Sequence, residues 1–177
     1  PAKRLTGLFS KSFAMDKKLK IIVVYTSVGP YGTGHGGGVE SLFRGLIPRL
    51  KKFGHEVIAF AGSESKKIPG LKVVEGKFSS YQQESSYHDP IEIYSGSYLE
   101  NVWLKVRETP CDIVLNLSYD WLSFYSGLFL DKPIAHYVSM GSLNEAIDET
   151  LYQVSKKFPR SLAMVSKAQR DTFPKSI

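Results

Sequence analysis

"LKIIVVYTSVGPYGTGHGGGVESLFRGLIPRLKKFGHEVIAF", residues 19–60, is the stretch whose reading decides the fold. Lys20–Thr26 is a nearly continuous apolar run, the pattern of a strand covered on both faces. Val39–Lys52 then places Val39, Leu42, Phe43, Leu46, Ile47 and Leu50 on one helical stripe, which Pro48 is expected to kink. Gly54 supplies the helix stop, and Glu56–Ala61 is a second buried strand. Between the first strand and the helix, five glycines crowd into residues 32–38. Each costs conformational entropy on folding, so their density asks for a reason. Glycine lets the main chain lie against a phosphate with no Cβ in the way, and a helix start offers N–H donors and the positive end of its dipole. The tract therefore reads as an anion-approach loop, with a flexible surface loop or tight packing between helix and sheet as the alternative.

Working outward, further strands are expected at Leu71–Val74, Asp112–Leu117, Pro133–Val138 and Leu162–Ser166. Helices are expected at Gly96–Arg107, Asp120–Phe129 and Leu143–Lys157. Residues 76–92 are polar and read as an irregular excursion. Strand–helix alternation over some 160 residues predicts an α/β fold with a Rossmann-like, doubly wound, mostly parallel sheet.

The 177 residues suffice for one domain with a proper core. No run approaches the roughly 18 apolar residues that a membrane span requires. A single cysteine, Cys111, excludes an internal disulfide framework and a multi-cysteine metal site, and no metal is expected. It also suits a reducing, cytoplasmic location. The net charge of +6 is unevenly placed: residues 1–20 hold six cations against Asp16 alone, leaving +1 for the other 157. Basicity confined to a leader argues against nucleic acid as a partner. Within residues 1–18, Leu5, Leu8, Phe9 and Phe13 sit at helix-like spacing among the cations. This leader reads as a disordered tail, with peripheral contact to an anionic membrane surface, at the inner face, as the alternative.

Gly32-Thr33-Gly34-His35-Gly36-Gly37 fits G-x-G-x-x-G literally, yet the dinucleotide fingerprint starts its first glycine at the strand end. Here residues 27–31 intervene, and the second strand offers no acid for a ribose before Glu64. A nicotinamide or flavin cofactor is therefore not expected. A P-loop is excluded, since no Gly-Lys-Ser/Thr follows the glycines.

Gly37-Gly38-Val39-Glu40 and, after the amphipathic helix, Gly54-His55-Glu56-Val57 resemble the opening of the family 4 glycosyltransferases. "CDIVLNLSYD", "KPIAHYVSMGS" and "SLAMVSKAQRD" fit the later strands of such a domain, so the resemblance spans residues 19–173. It implies a retaining enzyme of the two-domain GT-B fold that moves a sugar from a nucleotide-sugar donor to a glycan, lipid or small-molecule acceptor. Residues 19–177 would be its N-terminal, acceptor-side domain. The C-terminal donor domain would lie outside this chain, in cis or in trans, and the chain alone is expected to be inactive. The resemblance also implies that Gly36, Gly37 and Gly38 present backbone to the donor diphosphate, and that His136 is the catalytic histidine. A later register would put Ser139 in that place, and His136 also reads as a buried strand residue with its ring hydrogen-bonded. His35, Glu40 and Ser139 are expected as acceptor or loop contacts, although Glu40 also reads simply as an acid favoured in a first helical turn. A non-catalytic Rossmann-like domain that binds a nucleotide or a protein is the alternative.

Overall fold

The structure, a computed structural model, describes residues 17–74 and 91–177, the side chains of 91–97 excepted. The leader up to residue 16 and most of the expected 76–92 excursion, His88 included, lie outside the described residues. Six strands appear in the expected places: β1 (Lys20–Val24), β2 (Glu56–Gly62), β3 (Leu71–Val74), β4 (Ile113–Asn116), β5 (Ile134–Val138) and β6 (Leu162–Met164). They form one sheet in the order β3-β2-β1-β4-β5-β6, and every pairing is parallel. This is the doubly wound α/β arrangement, with the change of winding direction between β1 and β4.

Alternation along the strands builds two cores. Ile21, Val23 and Tyr25 of β1 and its exit pack under α1 (Gly37–Lys52) with Phe43 and Ile47. Ile22 and Val24 point the other way, against Tyr98, Leu99, Val102 and Val106 of α2 (Ile91–Glu108). Beyond α2, Phe124 of α3 (Trp121–Gly127) and Leu151 and Val154 of α4 (Glu145–Lys157) close over Val138. A short α5 (Lys167–Arg170) follows β6.

Helix ends follow their caps. Asp120 accepts from Leu122 N–H, Asn144 from Ile147 N–H and Ser166 from Gln169 N–H, each satisfying a first-turn donor. Gly54 adopts φ +84° beyond α1, a value few side chains tolerate. The expected kink at Pro48 does not end or divide α1. Pro48 and Arg44 both lie on the solvent face, so the carbonyl freed by the missing N–H turns toward water. The carboxyl end of α2 is tied by Lys132, whose Nζ donates to the carbonyls of Val106, Arg107 and Thr109 at 2.7–2.8 Å. Lys132→Met is expected to lower stability by about 1 kcal/mol, measured by urea denaturation. No helix among the described residues is long and apolar enough to cross a membrane.

Candidate functional site

The glycine loop leaves β1 at the carboxyl edge of the sheet, where doubly wound folds hold ligands. Its shape is set from behind by Glu40. Although it sits in the first turn of α1, Glu40 is only 2% exposed. Oε2 accepts from Gly34 N–H at 3.0 Å and from the Tyr25 hydroxyl at 3.4 Å, while Oε1 accepts from Arg44 at 3.1 Å. Burial, and then the neighbouring Glu40 carboxylate, push the Tyr25 phenol above its usual range, so it stays a donor. Glu40 is thus a buried tie between loop and helix, more than an acid favoured by the dipole. Gly37 N–H to Gly34 O, at 3.2 Å, and Thr33 Oγ1 to Pro30 O, at 2.7 Å, complete the turn.

The three glycines expected at a diphosphate have different reasons to be glycine. At Gly36 a Cβ would lie 2.2 Å from the Tyr25 hydroxyl oxygen, so internal packing forbids a side chain there. Gly37 has φ +53°, and a Cβ there would meet nothing within 4 Å. Gly38 has an ordinary backbone, and its missing Cβ likewise faces open space. Packing and backbone geometry leave Gly38 unexplained, and an approaching ligand would explain it. At this helix start, Gly37 N–H is engaged by Gly34 O and Glu40 N–H by Gly36 O. Among the described residues the N–H groups of Gly38 and Val39 meet no acceptor, as first-turn donors do.

These donors border a crevice of about 320 Å³ at the winding switch. Thr26 and Val28 from the β1 exit, Gly36, Gly38 and Val39, then Tyr119 after β4, and Tyr137, Ser139 and Met140 from β5 line it. Tyr119 is fixed by donating to Gly141 O at 3.0 Å, and burial, aided by Asp148, pushes its phenol up to about 12. Gln169 clamps the β5 exit by donating to the carbonyls of Val138 and Met140 at 2.7 Å each. No lining residue carries a charge. Such a wall can hold an anion by backbone donors and hydroxyls and can stack a ring on its tyrosines. It presents no carboxylate or imidazole for proton transfer.

The structure brings Gly36, Gly38 and Ser139 together, with Gly37 beside them and Glu40 behind. His35 is exposed at the tip of the loop. His136 stands apart. Strand alternation turns it with Ile134 and Val138 away from Tyr137, toward Phe124 and Gly127. Its exposure is 0%, so in this conformation its ring does not reach the crevice expected to hold the reacting sugar. Asn116 spends one amide hydrogen on Ser118 O and the other on His136 Nδ1, both at 3.0 Å. That assignment leaves the ring proton on Nε2, which has no partner among the described residues. Burial lowers the imidazole pKa to about 4. His55 is structural, its Nδ1 accepting from Leu19 N–H at 3.2 Å.

Sequence reasoning missed how Tyr119 is held, the part of Gln169 and the depth of Glu40. Each is defined by a partner 15 to 31 residues away, which no local pattern announces. The side to which His136 turns was available from the alternation of "IAHYV". Among the described residues, no group of three His, Cys, Asp or Glu side chains converges as a metal site would require. No protein-family model and no curated protein matches this chain.

Proposed function

We propose that residues 19–177 are the acceptor-side half of a retaining glycosyltransferase, with the donor diphosphate at the start of α1 and the acceptor along the β5 exit. The observation that carries this reading is Gly38. It leaves an unfilled approach beside two unclaimed N–H groups, at the carboxyl edge of the sheet and in a crevice without charged side chains. The resemblance through Gly37-Gly38-Val39-Glu40 and Gly54-His55-Glu56-Val57 points the same way. In this scheme the chain binds and orients. The groups that neutralise the leaving diphosphate and contact the base come from a second domain across the cleft, and no metal or cofactor takes part. The uncharged lining also fits a non-catalytic nucleotide-binding domain, which differs in needing no second domain.

Titration with UDP and with uridine, followed by amide NMR, tests the reading. UDP is expected to shift Gly37, Gly38 and Val39, whereas uridine leaves them in place. Gly38→Val, whose added side chain enters only open space, is expected to weaken UDP binding about tenfold or more at an unchanged melting temperature. Equal shifts from uridine and UDP, or undiminished binding by Gly38→Val, would remove the diphosphate from the loop.

A further inference from the structure

The outer face of α2, of α3 and of the turn after α3 carries large apolar side chains that stand partly exposed. Leu104 on α2 is 46% exposed, and Trp121, Tyr125 and Phe129 are 46%, 42% and 62% exposed. The aromatics follow at intervals of four residues and touch in sequence. Trp121 stacks on Tyr125 with centroids 5.0 Å apart, and Tyr125 meets Phe129 edge-on, also at 5.0 Å. A groove of about 250 Å³ runs between the helices, with Leu104 on one bank and Tyr125 and Phe129 on the other. A contiguous apolar face of this kind marks an interaction surface.

The charges beside it say what kind. Glu100 and Arg107 lie one turn before and one turn after Leu104, and both border the groove. Among the described residues neither forms an ion pair within the chain. α2 and α3 both return from the carboxyl edge of a parallel sheet and so run in the same direction. A twofold axis crossing α2 at Leu104 and α3 at Tyr125 would therefore lay each helix antiparallel on its own copy. An isologous contact sets residue i against j and j against i. Glu100 then meets the partner's Arg107 and Arg107 the partner's Glu100. Trp121 meets the partner's Phe129 in the same reciprocal way, with Leu104 and Tyr125 on the axis. The order acid, apolar, base on α2 and aromatic, aromatic, aromatic along α3 and the turn that follows it is self-complementary under that single operation.

We propose that the α2–α3 face joins two copies of this chain in a twofold-symmetric homodimer. Sedimentation velocity over a concentration series tests it by charge exchange. Glu100→Arg alone sets arginine against arginine, and Arg107→Glu alone sets glutamate against glutamate. Because each contact occurs twice, either change is expected to weaken dimerisation about tenfold. The double exchange Glu100→Arg/Arg107→Glu restores it. An equimolar mixture of the two single variants dimerises as well as the unaltered chain, because it recreates both opposite pairs. Tyr125→Glu places like charges on the axis and leaves a monomer, with circular dichroism confirming that it folds. A chain that stays monomeric throughout overturns the proposal. So does a dimer that ignores the single exchanges, or single variants that fail to pair with each other.

Discussion

Replacing Glu40 by alanine is expected to cost about 3 kcal/mol of folding free energy. The substitution strands the Tyr25 hydroxyl in the core and removes the acceptor that holds Gly34 N–H. A buried donor left without its partner costs about 1–3 kcal/mol, and the void beside Tyr25 adds to this. Relief from burying a carboxylate offsets part of the sum. Two companion variants separate the contributions. Glu40→Gln keeps an acceptor for Gly34 and loses the charge opposite Arg44, for a cost of about 1 kcal/mol. Arg44→Ala removes an ion pair whose cationic side is 64% exposed, so it should stay within about 0.5 kcal/mol of the unaltered chain. Urea denaturation of the three gives the order, and hydrogen exchange at Gly34 reports the tie directly. If Glu40→Ala matched Arg44→Ala, the carboxylate would be a surface ornament and the loop would be held some other way.

That series also marks where sequence reading stops. The inner strands were legible because each is a short apolar run closed by polar or glycine residues, and parallel strands covered on both faces leave that signature, whereas the edge strands β3 and β6 keep exposed residues. The start of α1 was legible to within two residues, since a glycine tract ends where the stripe begins. The crevice was legible as a location, because a loop leaving the first strand of such a sheet lands at its carboxyl edge. Its walls were not. Tyr119 enters through a bond to Gly141, and Ser139 meets Gly38 only once β5 has been placed beside β4. The three adjacent glycines looked equivalent as letters. In the fold one is excluded from bearing a side chain by Tyr25, one by its positive φ, and one by nothing among the described residues.

Acid is expected to destabilise the domain through His136 before most carboxylates titrate. In the folded chain burial holds the imidazole pKa at about 4, against about 6.5 when the chain is unfolded. Between those values the unfolded chain takes up a proton that the folded one refuses. Stability is therefore fully present above the unfolded value, falls as pH drops through that interval, and loses no more to this group below about 4. The loss between neutral pH and pH 4 comes to about 3 kcal/mol, with a steepest slope of about 1.2 kcal/mol per pH unit. Geometry adds its own reason, because a proton on Nδ1 would point at the Asn116 amide that now donates to it. Asp120 acts with the opposite sign: burial raises its carboxyl, so its contribution returns as pH falls through the ordinary carboxylate range. The histidine's share is isolated by comparing the unaltered chain with His136→Gln from about pH 4 to 6.5, since both chains keep Asp120. Denaturation midpoints across this window should fall steeply for the unaltered chain and flatten for His136→Gln. The ring-proton NMR signal of His136 should titrate near 4, if at all before unfolding. A midpoint near 6.5, or parallel pH profiles for the two chains, would mean that the ring reaches water and reopen a place for it at the crevice.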